Sequence, residues 1–182
     1  LNANNTGILN LNGGVLQPTA VTGAGVLNFN GGTLMPATSF ATPFLNLSSN
    51  AYVYSGGAKI GDNGQTLTIS QPLLAPTGYG VGSIALGSGG SGYIAPPIVT
   101  ISGGNGANAT AIATVSGGVV TGIAVTSPGN GYLAGDEAAM TVNFSGGGGT
   151  GASATVNPVT PNVSGGLIKL GAGILTLSGA NT

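Results

Sequence analysis

Charge is what this sequence most lacks. Of its 182 residues only Lys59, Asp62, Asp136, Glu137 and Lys169 carry a formal charge, and the net charge is −1. Globular domains average about one quarter charged residues. Arginine, histidine, cysteine and tryptophan are absent altogether. Each absence removes a class of function. Two lysines and no arginine leave no basic footprint for nucleic acid, and nothing to hold an anionic membrane surface or a phosphorylated partner. Without cysteine there is no disulfide framework and no thiolate metal site, so thiols say nothing of the redox compartment. Without histidine the usual Ser–His–acid triad has no base. Apolar runs are broken by Gly, Asn or Thr short of the roughly 18 residues of a membrane span. So little charge suits a protein held in a longer chain or an assembly better than a soluble monomer. No signal-peptide pattern follows Leu1, so we expect a processed or excised segment.

What is present is repetition. Gly7-Ile8-Leu9-Asn10-Leu11-Asn12-Gly13-Gly14-Val15-Leu16-Gln17-Pro18 returns as Gly25-Val26-Leu27-Asn28-Phe29-Asn30-Gly31-Gly32-Thr33-Leu34-Met35-Pro36, offset by 18 at every position in the stretch from Thr6 to Ala37. Leu45-Asn46-Leu47 falls another 18 after Leu27, and Leu67-Thr68-Ile69 follows 22 after Leu45. An ungapped period of this kind marks one structural unit whose copies cover each other's apolar side chains. The units alternate apolar with polar and turn on glycine, so they read as strands. The expected fold is all-β, a parallel β-solenoid with coils of about 18–22 residues. Leu9, Leu27, Leu45 and Leu67 would stack as one apolar ladder, and Leu11, Phe29, Leu47 and Ile69 as a second. Asn10, Asn28 and Asn46, with Asn12 over Asn30, would form amide ladders. Gly13-Gly14 and Gly31-Gly32 fit the corners, where the backbone needs positive φ. Abundant β-branched residues and this periodicity oppose a disordered Gly/Ser/Ala spacer.

Residues 80–158 change pattern. Ile84-Ala85-Leu86 with Gly92-Tyr93 recurs as Ile123-Ala124-Val125 with Gly131-Tyr132, an offset of 39. Each copy continues through a strand and a Gly cluster to a small-residue strand, so the segment reads as an inserted two-copy β module of antiparallel hairpins. Tyr93 and Tyr132 read as packing anchors. Residues 159–182 return to the first pattern, Gly171 to Gly179 paralleling Gly23 to Gly31. The expected division is 1–79, 80–158 and 159–182.

The stretch Gly165-Gly166-Leu167-Ile168-Lys169-Leu170-Gly171-Ala172-Gly173-Ile174-Leu175-Thr176-Leu177-Ser178-Gly179-Ala180-Asn181-Thr182 resembles the autotransporter-associated β-strand repeat of bacterial passenger domains, whose pattern reads GG-L-x-K-x-GxGxLxLxGxNT. The N-terminal coils are weaker cousins. The middle does not match; it resembles the Gly-Ser-Gly-Tyr repeats of phage tail fibres and very large bacterial surface proteins. Leu1-Asn2 resembles the tail of such a repeat, so the chain is expected to continue both ways. The resemblance implies a secreted parallel β-solenoid stalk, and the matched residues are structural in that family, so no functional site is carried over.

Few residues could carry chemistry. Asp136 and Glu137 are neighbours, so on a strand they point to opposite faces and cannot flank a sugar at the roughly 5–9.5 Å a glycosidase needs; we read them as a solvated loop. Gly103-Gly104-Asn105-Gly106-Ala107-Asn108 approaches the calcium-solenoid repeat GGxGxDxUx, but Asn108 stands at the Asp position, and Ser153 in the second copy, leaving neutral oxygens where calcium wants carboxylates. The same stretch gives a partial GxGxxA, with no following helix to present a phosphate site. A Lys–Asn isopeptide crosslink would need Lys59 or Lys169 buried beside an acid, and Asp62 near Lys59 reads as a surface pair. Sequons at Asn4, Asn46, Asn108, Asn143 and Asn162 are ordinary in so Asn- and Thr-rich a chain. No catalytic, cofactor or metal residues are assigned. The expectation is a non-enzymatic structural segment of a secreted or cell-surface bacterial protein, an extracellular fibre or adhesive stalk whose partner is itself. The alternative is a module binding surface glycans or a host, which exposed aromatics on one face would favour.

Overall fold

The computed structural model describes residues 2–3 and 7–182, with side chains from Gly7 onward; Leu1 and the Asn4 sequon lie outside the described residues, as does Thr6, where the first repeat begins. The chain is all-β, built of many short strands, with a 3-10 turn at Asp136–Ala139 and no α-helix among the described residues. It forms two compact units. Unit 1 takes the chain up to Pro76 and again from Val163; unit 2 is Thr77–Asn162. The boundaries fall there, and not at 79/80 and 158/159, because Tyr79–Gly80 pairs antiparallel with Thr160–Pro161 inside unit 2.

In unit 1 strands from successive passes of the chain stack in parallel. One sheet has the order Leu73–Leu74, Ala51–Val53, Val26–Phe29, Ile8–Leu11. A second has Leu167–Leu170, Ala58–Gly61, Thr33–Leu34, Val15–Leu16. A third has Asn2–Ala3, Val21–Gly23, Leu45–Leu47, and Thr66–Ile69 pairs with Ile174–Leu177. Many apolar side chains of these strands share one interior, where Leu27, Phe29, Leu34, Leu45, Ile60 and Ile69 are at most 1% exposed, while Val15, Ile168 and Ile174 remain exposed. Full burial of such side chains stabilises by about 1.5–3 kcal/mol each.

The period of 18 governs only the first step. Leu9 pairs with Leu27, Asn10 with Asn28 and Leu11 with Phe29. Leu27 then pairs with Ala51 and Phe29 with Val53, 24 residues on, and Ala51 with Leu73, 22 on. Leu45-Asn46-Leu47 stacks on Val21–Gly23, and Leu67-Thr68-Ile69 on Leu175-Thr176-Leu177. The expected ladders through Leu45, Leu47, Leu67, Ile69 and Asn46 are corrected accordingly. The physical reason is the longer segment after Met35, which sends Phe44 into the core and packs Phe40 edge-on against it at 5.6 Å. The added residues move Leu45–Leu47 to a different face. Likewise Gly171 to Gly179 and Gly23 to Gly31 are alike in sequence, yet Ile174–Leu177 and Val26–Phe29 belong to different sheets. Gly14 (φ 67°) and Gly31 (φ 101°) take the left-handed corners, one glycine of each pair.

Unit 2 interrupts a pass without breaking it. Leu73–Leu74 lies next to Ala51–Val53 and Leu167–Leu170 next to Ala58–Gly61, in the same sequence of sheets. The returning chain is tied down by Gly165 N–H to Tyr54 O (3.0 Å) and by Ser164 Oγ to Val53 O (3.0 Å).

Within unit 2 the strands are antiparallel and include hairpins, Ile98–Ser102 with Ala107–Ser116 and Ala107–Ser116 with Val119–Asn130, but the two copies do not stand apart. The first strand of each copy pairs with the last strand of the other. Ile84 pairs with Val156 as Ile123 pairs with Ala113; Leu86 with Ala154 as Val125 with Ala111; Ser91 with Thr150 as Asn130 with Ala107. The registers superimpose with an offset of 39 for the first strands and 43 for the last. Both ladders slip at the equivalent place, between Leu86 and Ser88 and between Thr110 and Ala111. The middle strands Ile98–Ser102 and Thr141–Ser145 pair with each other, Thr100 opposite Asn143. The unit therefore has a pseudo-two-fold axis, and neither copy completes its sheet alone.

Candidate functional site

Asp62 follows the strand Ala58–Gly61, and its carboxylate is fully buried, which leaving water makes costly unless it is paired. Its partner is Lys169 of the next pass, one-third exposed, in an ion pair. Oδ1 also accepts from Gly64 N–H (2.7 Å). Lys169 Nζ donates further to Gly171 O (2.6 Å) and Gly173 O (2.7 Å). The Lys169 hydrogen bond holds the Asp62 carboxyl below its ordinary value of 3.8 against the opposing effect of burial. The sequence reading that set Asp62 beside Lys59 as a surface pair is corrected: Lys59 stands in a ladder between Thr33 and Ile168. The lysine of the GG-L-x-K-x-GxGxL stretch thus ties two passes together.

Asp136 and Glu137 are not on a strand, nor in a solvated loop. They open the 3-10 turn, and Asp136 is buried. Its Oδ2 accepts from Leu133 N–H (2.8 Å) and Asn105 N–H (2.9 Å), its Oδ1 from Asn105 Nδ2 (2.8 Å). The main-chain donors Leu133 and Asn105 lower its pKa below 3.8. Glu137 Oε2 accepts from Val159 N–H (3.2 Å). A carboxylate whose oxygens are occupied by amide donors organises loops; it has little left to offer a substrate or a cation.

Tyr93 and Tyr132 are buried, each against the glycine loop of the opposite copy. A Cβ on Gly149 would stand 2.5 Å from Tyr93 Cγ, and one on Gly106 2.4 Å from Tyr132 Cγ. Burial raises the Tyr132 phenol above its ordinary 10.0. Asn108 has φ 68°, and the residue in its place in the second copy is Gly151 (φ 81°), not Ser153. Asn108 therefore occupies a left-handed turn position, for which asparagine is suited. Among the described residues no three of His, Cys, Asp or Glu come together as metal ligands would.

The amide ladder is real over one step: Asn28 Nδ2 donates to Asn10 Oδ1 at 2.9 Å. Asn30 Oδ1 instead accepts from Gly56 N–H (2.9 Å). A recess of about 170 Å³ lies in unit 1 beside Val53, Leu73, Ser164, Leu167, Leu177 and Thr182. Small-molecule sites span about 300–1,000 Å³ and carry convergent polar groups. Among the described residues no helix is long and apolar enough to cross a membrane, which leaves strands aside. What the geometry offers is a set of interlocks between passes and between copies. Compared with family models, with curated proteins and with solved structures, the chain has no match in any of the three.

Proposed function

We propose that unit 1 is a parallel β-solenoid and that the chain is a non-enzymatic structural segment of a secreted or surface-anchored bacterial protein, part of an extracellular fibre or stalk. The observation that carries this reading is the in-register parallel stacking Ile8–Leu11, Val26–Phe29, Ala51–Val53 and Leu73–Leu74, four passes on one sheet. Such stacking extends by adding passes and distributes load along continuous backbone hydrogen bonds. The polar residues engaged in specific contacts, Asn10 with Asn28 and Asp62 with Lys169, reinforce neighbouring passes. The bacterial, extracellular placement rests on the likeness of residues 165–182 to the autotransporter-associated repeat, and the partner that suits the fold is another copy or further passes of the same kind. The glycan-binding alternative needs exposed aromatics on one face, whereas Tyr54, Tyr93 and Tyr132 are at most 5% exposed. Negative-stain electron microscopy over a range of protein concentrations tests the proposal. Rods or filaments are expected; compact particles that never associate, together with hits on a glycan array, would overturn it.

A further inference from the structure

The two copies of unit 2 serve as controls for each other. Ile98-Val99-Thr100-Ile101-Ser102-Gly103-Gly104 and Thr141-Val142-Asn143-Phe144-Ser145-Gly146-Gly147 stand 43 residues apart, the offset that also relates the last strands. One row of strand partners runs Ala124 with Ile112, Ile112 with Ile98 and Ile98 with Ser145. The pseudo-two-fold sets Ala85 with Thr155, and Thr141 with Ser102, in the equivalent places. All of these residues are exposed. The two sets differ only at their centres, Ile112 and Ile98 in one and Thr155 and Thr141 in the other.

The core has no use for these two isoleucines. Their strand neighbours Val99, Ala111 and Ala113 pack into it, and threonine, β-branched like isoleucine, suits a strand as well. Yet Ile98 is 70% exposed and Ile112 59%. A single exposed apolar residue is ordinary. Two side by side, where the other copy puts hydroxyls, form a surface to be covered. Their surroundings set the chemistry of the partner. Of the five charged residues only Asp136 and Glu137 lie in unit 2, and both accept from main-chain N–H groups. The flanking residues on the row are Ala124 and Ser145, so a charged partner or an anionic lipid headgroup gains nothing here. A neutral sheet face bearing isoleucine fits another of its kind, and a net charge of −1 raises little repulsion between two copies.

We propose that this face of unit 2 is a self-association site, in which Ile98 and Ile112 of one copy pack on the same two residues of a second copy across a two-fold axis. Sheets packed face to face stand about 10 Å apart, which leaves room for one layer of side chains from each. The contact is isologous: each copy offers and fills the same patch, and the pair closes at two. Two isoleucines a side are few against the roughly 1,200–2,000 Å² of a stable interface. The contact is therefore weak in isolation and gains from repetition along a stalk. The inference rests on the reading of the chain as a self-associating structural segment, and adds to it a contact through unit 2, separate from the extension of parallel passes in unit 1.

The test is sedimentation velocity of the full chain over a concentration series below that giving rods, repeated with Ile98→Thr/Ile112→Thr, which carries at both places the residue the other copy already uses. A monomer–dimer equilibrium is expected, with an association constant that falls by roughly tenfold or more in the variant, since the apolar centre of the contact is lost. Circular dichroism and Tm should be retained. The converse variant Thr141→Ile/Thr155→Ile gives each copy two patches and should form species larger than dimers. A chain monomeric at every concentration would overturn the proposal, as would a dimer that Ile98→Thr/Ile112→Thr leaves intact. Binding of the monomer to neutral phosphatidylcholine vesicles through the same isoleucines would overturn it in favour of a lipid surface. Rods in negative stain should form with and without the two isoleucines; dimers without rods would overturn the stalk reading alone.

Discussion

At the scale of single residues, the few charges are held at specific places. Asp62 is buried with Lys169 above it, and Asp136 is buried under amide donors from Asn105 and Leu133. Breaking a buried pair by removing one partner leaves an uncompensated charge. Lys169→Met should therefore lower Tm clearly, while the double substitution Asp62→Asn/Lys169→Met should lower it by less than the sum of the single changes; thermal unfolding of the four chains checks this. The pH dependence has a definite sign. Both carboxyls lie below the ordinary 3.8 when folded, so the unfolded chain binds protons first as pH falls. Their stabilisation is complete above the unfolded value and is lost as pH drops through the folded values. Acid titration followed by circular dichroism should place the loss below pH 3.8, and Asp136→Asn should flatten it. None of this was legible in the sequence. Asp62 is three residues from Lys59 but 107 from Lys169, and only the stacking of passes decides between them.

At the scale of elements, the repeat was legible and its phase was not. Leu9 to Leu27 follows the period of 18 because the two corners match residue for residue. Beyond Met35 the chain carries extra residues, and periodicity alone could not say that Leu45 would turn to Val21 while Ala51 took the place above Leu27. In unit 2 the offset of 39 announced two copies, but not that they exchange last strands, since a register between copies has no sequence marker. The glycines that receive the tyrosines are the points to probe. Gly106→Ala drives a methyl into Tyr132 and nearby backbone, and overpacking of this kind costs about 1–3 kcal/mol. Gly149→Ala should cost as much against Tyr93, by the symmetry, whereas Gly122→Ala, with open space around it, should be near neutral; urea midpoints of the three chains make the comparison. Phe29→Ala empties a fully buried site in unit 1 and should cost about 3–5 kcal/mol.

At the scale of the whole molecule, unit 1 is written in two stretches of sequence. Thr66–Ile69 and Ile174–Leu177 are neighbours across more than a hundred residues. The two ends of unit 2 meet through Asn162 N–H to Gly78 O at 2.9 Å, so its excision with Pro76 joined to Val163 should leave unit 1 able to fold. Exposed Thr68 and Thr176 face each other in register, and the native chain has no cysteine. Thr68→Cys/Thr176→Cys should therefore oxidise to a disulfide in both the full and the shortened chain, read by gel mobility and mass. The most direct test of the structural reading is diffraction from oriented filaments of the protein, or their cryo-EM power spectrum. Stacked passes predict a meridional reflection at about 4.8 Å, with the strands perpendicular to the filament axis. Filaments lacking that reflection, or its appearance on the equator with strands along the axis, would contradict the account.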